Sequence, residues 1–172
     1  MKDIQLRELP KSKEFIKQAK IADSLTKETG LEHGFTFCKP NNEIIVDKMC
    51  IGTECNIDIS EITCGKYDNF FHTHPNRKES EPSPTDLHNA TYKSYFSNKP
   101  NIVCIKAEND EYVLCEKIDG RNLDTIMYIQ NIVKEFQKEK TYFNAKKTTS
   151  LIHSKTLLGN IIFDLKKWNK NI

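Results

Sequence analysis

The chain of 172 residues has no apolar run approaching the roughly 20 residues that cross a bilayer. Its first twenty residues, Met1 to Lys20, are charged throughout and lack the apolar centre of a signal peptide. A soluble, cytoplasmic protein without a membrane partner is the expectation. A (β/α)₈ barrel, which takes about 250 residues, does not fit, and one domain is the natural count at this length. No repeat or low-complexity segment interrupts the chain. Charge of one sign is also scarce: 26 Lys and Arg stand against 24 Asp and Glu, a net of +2, which argues against a dedicated nucleic-acid binder. The balance is uneven, however. From Lys134 onward nine lysines face three acids, an excess of +6 that leaves the rest at −4. A solvated lysine face accounts for this more simply than a docking surface for an acidic partner.

Cysteine is not scarce, with residues 38, 50, 55, 64, 104 and 115, but no C-x-x-C pair occurs. In a reducing cytosol buried free thiols are expected. A structural zinc on Cys50, Cys55 and Cys64 has irregular spacing against it.

Pro10 is placed to open a helix striped by Phe15, Ile16, Ala19, Ala22 and Leu25, with Gly30 to close it. Strands are expected over Gly34–Cys38, Glu43–Ile51, Cys55–Ile59 and Asp68–His74. A second helix begins at Pro84 and stops before Asn98-Lys99-Pro100. Ile102–Lys106 and Tyr112–Ile118 form a hairpin about Asn109-Asp110. Two terminal helices follow, the first striped by Leu123, Ile126, Met127, Val133 and Phe136. Leu158, Ile161, Ile162, Leu165 and Trp168 stripe the second. The order implies an α/β domain with one mixed sheet flanked by helices. Residues 1–118 form the body, and 119–172 a helical extension packed on it that offers an apolar stripe to a partner or a second copy.

The chemistry concentrates in Phe70-Phe71-His72-Thr73-His74-Pro75 and Glu81-Pro82-Ser83-Pro84-Thr85-Asp86. On a strand, His72 and His74 point to one side, roughly 6–7 Å apart along the chain, and both can reach one ion at about 2.0–2.1 Å. Pro75 then ends the strand and leaves them at its rim. Ser83-Pro84-Thr85-Asp86 reads as a capping box with proline at the first helical position. A helix starting there presents Asp86 to the same ion. Two histidines, a carboxylate and an open position are the ligand set of a catalytic zinc. No cysteine lies between residues 65 and 103 to make it a structural one. Such a zinc also needs a base outside its ligand shell, and Glu32 in Leu31-Glu32-His33-Gly34-Phe35 is the best candidate. His33 alternates to the other side of its strand. His88 and His153 read as ordinary solvated or core histidines.

In this order Glu32, His72-Thr73-His74-Pro75 and Ser83-Pro84-Thr85-Asp86 resemble the JAMM/MPN+ (Mov34/MPN/PAD-1) metalloprotease signature, an upstream Glu, H-[ST]-H-P and S-x-x-D. The resemblance spans about residues 11–118. It implies a cytidine-deaminase-like α-β-α sandwich, zinc on His72, His74 and Asp86, Glu32 as general base, and Ser83 stabilising a tetrahedral intermediate. It further implies hydrolysis of an amide bond by a zinc-activated water, at the C-terminus of a ubiquitin-like modifier or sulfur-carrier protein. One departure is a residue more than usual between His74 and Ser83, with Asn76-Arg77-Lys78-Glu79 as the bulge. The segment Asp47–Asp68 is the most plausible specificity insertion. Two rival readings stay open: a RadC-like, DNA-associated protein, for which the basic terminal region speaks, and a non-catalytic interaction module in which zinc holds the loop.

Overall fold

The computed structural model describes residues 1–47, 49–52, 64–65, 67–139, 150 and 154–167. A 3₁₀ turn, Leu6–Lys11, contains Pro10 and precedes α1, Lys13–Thr29. The helix therefore starts three residues beyond the expected proline. Ser12 caps it, its side chain accepting from the Phe15 N–H, and Gly30 closes it at φ 70°, a left-handed conformation that glycine adopts at no steric cost.

Among the described residues seven strands form one sheet: β1 His33–Cys38, β2 Ile45–Val46, β3 Cys50–Ile51, β4 Asn69–His74, β5 Asn101–Ala107, β6 Tyr112–Ile118 and β7 Leu157–Asp164. Their order is β2-β1-β4-β5-β6-β7, with β3 also on β1. Among the described residues only β4 and β5 run parallel; every other pair is antiparallel. A parallel pair needs a crossover, and α2, Pro84–Ser97, supplies it. The third helix, α3, spans Leu123–Glu139.

Alternation along β5 divides the core. Ile102 and Cys104 join Phe15, Ile16, Ala19, Phe35, Phe37 and Phe71 on the α1 side. Val103 and Ile105 join Leu87, Ala90, Ile129 and Val133 from α2 and α3 on the other. Helices thus cover both faces of the sheet. Phe15 is the centre of the first cluster, with ring centroids 5.7 Å from Phe35, 5.0 Å from Phe37 and 5.8 Å from Phe71, all edge-on.

The expected second terminal helix is a strand. Leu157–Asp164 pairs with β6 from Tyr112↔Asp164 to Ile118↔Leu157. The apolar spacing that suggests a helix is ambiguous in so short a run. Gly159 and Asn160 are poor in a helix interior, Ile161, Ile162 and Phe163 favour a strand, and β6 offers an open edge. The extension after residue 118 therefore completes the sheet rather than only packing on it. The expected Glu43–Ile51 strand is two short pieces, both on β1. Cys55–Ile59, most of Asp47–Asp68, His153 and Trp168 lie outside the described residues.

The cysteines also differ from expectation. Cys38 is bonded to Cys64 and Cys104 to Cys115, and Cys50 is disulfide-bonded as well. Cys104 and Cys115 stand directly opposite in the β5–β6 ladder, where facing Cβ atoms come within bridging reach. Free thiols therefore provide no argument for a reducing compartment. No helix among the described residues is long and apolar enough to cross a membrane.

Candidate metal centre

β4 ends at His74 and delivers both histidines to the α2 side of the sheet. Phe71 and Thr73, the residues on either side of His72, turn toward α1. At the start of α2, Ser83 sits at the N-cap with φ −74° and ψ 163°. Asp86, three residues on, faces the histidines. His72 Nε2 is 3.0 Å from Asp86 Oδ1 and His74 Nε2 is 3.3 Å from Asp86 Oδ2. The two Nε2 atoms are 3.0 Å apart. Ligand atoms bound tetrahedrally at about 2.0–2.1 Å stand roughly 3.3–3.4 Å from one another. The three side chains are thus gathered at nearly the separations that one ion would impose, and the group can hold a metal ion.

Electrostatics agree with that assembly. Burial pushes the Asp86 carboxyl up, but the hydrogen bonds and charge of His72 and His74 outweigh it and hold the group well below the usual carboxylate range. The Asp86 orientation is fixed from the helix. Oδ2 accepts from the Ser83 backbone N–H at 2.7 Å and from the Ser83 hydroxyl at 2.8 Å, while Ser83 Oγ accepts from the Asp86 N–H at 3.2 Å. The capping box expected from sequence is therefore formed, and its serine holds the candidate ligand. Buried His72 Nδ1 has no hydrogen-bond partner among the described residues. The His72 ring packs on Phe70, with centroids 5.2 Å apart.

Glu32 lies just before β1. Glu32 is two residues before Gly34, which pairs with His72 at the end of the β1–β4 ladder, and strand alternation gives Glu32 the side of the chain that Gly34 takes. Glu32 is half-buried, and no described residue makes a hydrogen bond or ion pair with its carboxylate. His33 points away as expected, buried, with Nδ1 3.2 Å from Thr26 Oγ1 and 3.0 Å from the Leu31 carbonyl. His88 is apart from the group, and burial pushes its pKa down.

Three contributions escape a reading by motif. Gly34 keeps the strand pair close to His72: a Cβ there would lie 2.6 Å from the Phe71 carbonyl oxygen and 3.0 Å from His72 Cβ. Thr73, between the histidines, binds β4 to β1 and α1. Its hydroxyl accepts from the His33 N–H at 2.9 Å and lies 2.5 Å from Thr26 Oγ1. The alternation H-T-H was the available signal, since the middle residue must face the opposite layer. Ser80 anchors the loop after His74, accepting from the Ala107 N–H at 2.8 Å and donating to the Tyr112 carbonyl at 2.7 Å. Asn76 in this loop takes a left-handed turn at φ 57°, a conformation asparagine tolerates.

No protein-family model matches the chain, and no curated protein matches it either.

Proposed function

We propose that the protein is a zinc-dependent hydrolase of the JAMM/MPN+ type, with a cytidine-deaminase-like sandwich, that cleaves an amide bond at the C-terminus of a ubiquitin-like modifier or sulfur-carrier protein. The observation that carries the reading is the convergence of His72, His74 and Asp86 at separations of 3.0–3.3 Å, and Glu32, just before β1, supports it as the nearest candidate base. Thiolates are absent from the group, which favours a catalytic over a structural site.

Bound there, zinc would polarise the scissile carbonyl and lower the pKa of water to about 7. In this scheme Glu32 accepts the proton of the attacking water and returns it to the leaving amine. Ser83 orients Asp86 through Oδ2 and, when its hydroxyl turns outward, donates to the developing oxyanion. The cysteines take no part.

The test is hydrolysis. Zinc-loaded protein and its Glu32→Gln variant are incubated with modifiers extended by a short C-terminal peptide, and products are read by mass spectrometry. Cleavage by the wild type, lowered ~10²–10⁴-fold in Glu32→Gln, supports the reading. Equal cleavage by both would remove Glu32 from the mechanism, and no cleavage of any modifier would remove the substrate class.

A further inference from the structure

On the opposite face of the sheet from the histidines lies a cavity of about 500 Å³ that the hydrolytic scheme does not use. One wall is the C-terminal half of α1, contributing Lys20, Asp23, Ser24 and Lys27; the other is the β5–β6 turn. Lys106, 2% exposed, lines it from β5, where it pairs with Thr73 in the parallel ladder. A cation so buried requires compensation. Lys106 Nζ donates to Asp23 Oδ1 at 3.0 Å and to the Ala107 carbonyl at 2.7 Å. An ammonium has three N–H donors, so one has no acceptor among the described residues.

The formal charges around the cavity cancel, four lysines against four acids, and their distribution decides what fits. Asp23 is shared: its second oxygen accepts from Lys27 Nζ at 2.7 Å. One carboxylate between two ammoniums leaves this corner at +1, with Lys20 and the Ser24 hydroxyl beside it. Of the turn's three acids, Glu111 is exposed on the far wall, and the other two are held by backbone donors. Glu108 accepts from the Asn76 N–H at 2.7 Å. Asp110 accepts from the Ser80 N–H at 2.9 Å and the Tyr112 N–H at 3.1 Å. The uncommitted capacity on the α1 side is therefore donor capacity, and it complements an acceptor carrying negative charge.

We propose that this cavity binds a small organic anion through a phosphate or carboxylate group, with Lys106 and Lys27 as its principal contacts and Lys20 and Ser24 beside them. The site is independent of the metal reading, since a layer of sheet separates it from His72 and His74.

Titration calorimetry of the full-length protein with inorganic phosphate and, separately, with citrate tests the proposal. Saturable binding of either is expected, and the tighter of the two identifies the headgroup. Lys27→Gln, which leaves Asp23 its Lys106 partner, should weaken binding at least tenfold. Lys17→Gln, exposed on α1 and away from the cavity, should leave it unchanged. Lys106→Met should abolish binding, and Lys27→Gln decides the matter if that variant does not fold. His72→Ala should bind as the wild type does. Loss of binding in His72→Ala with retention in Lys27→Gln would overturn the proposal by placing the anion at the metal group. Equal loss in Lys17→Gln and Lys27→Gln, or no saturable binding of either probe, would overturn it too.

Discussion

Replacing Ser83 by glycine and by alanine separates two tasks that the structure assigns to one hydroxyl. As a cap, Ser83 Oγ accepts from the Asp86 N–H at 3.2 Å; as an orienting group, it donates to Asp86 Oδ2 at 2.8 Å. Loss of a serine cap to alanine costs about 0.5–2 kcal/mol, while glycine gives up only a few tenths because it adopts the N-cap conformation readily. In a chain of this size 1 kcal/mol moves Tm by about 2–4 °C, so Ser83→Ala should melt about 1–8 °C lower and Ser83→Gly close to wild type. Metal affinity should follow a different pattern. Both variants lose the hydroxyl that holds Oδ2, and removal of a partner that orients a metal ligand typically costs 10–100-fold. The Ser83 backbone N–H, 2.7 Å from the same oxygen, survives in both and limits the loss. Ser83→Gly is therefore expected to remain as stable as wild type yet bind zinc roughly tenfold or more weakly, read by competition with a chelating dye. A glycine variant with unchanged zinc affinity would refute the orienting role and leave Ser83 a helix cap. If the hydroxyl also serves an oxyanion, kcat at saturating zinc should fall roughly 10²–10³-fold.

Gly34→Ala should destabilise by about 1–3 kcal/mol in urea unfolding, because its Cβ meets the Phe71 carbonyl oxygen at 2.6 Å and β1 must separate from β4. Phe15→Ala, at the centre of four phenylalanines, should cost about 3–5 kcal/mol by the same measurement and leave no local defect at the metal group. Thr73→Val keeps the shape but removes the acceptor of the buried His33 N–H, an expected loss of about 1–3 kcal/mol. Glu32→Gln should retain zinc and Tm while losing turnover, with the loss falling on kcat rather than KM.

Much of this arrangement is legible in the sequence because local rules and tertiary contacts agree there. His72 and His74 share a face through strand alternation, and Pro75 ends the strand. Ser83-Pro84-Thr85-Asp86 starts a helix by capping chemistry, and that helix start is also what aims Asp86. Gly30 and Asn98 end α1 and α2 in left-handed conformations. The expectations failed where a distant partner decides. Leu157–Asp164 carries a helix-compatible spacing, and only the open edge of β6 makes it a strand. Cys38 is bonded to Cys64, 26 residues on, a pairing that spacing alone does not disclose. Lys106 sits in an ordinary strand run, and its pairing with Asp23, 83 residues away, depends on α1 lying across the sheet.

The central claim is that His72, His74 and Asp86 hold one zinc ion, and metal content measures it most directly. Protein purified without chelators should carry close to one zinc per chain by elemental analysis, and so should Glu32→Gln. His72→Ala, folded by circular dichroism, should be markedly depleted. A full equivalent of zinc retained in His72→Ala would contradict the account.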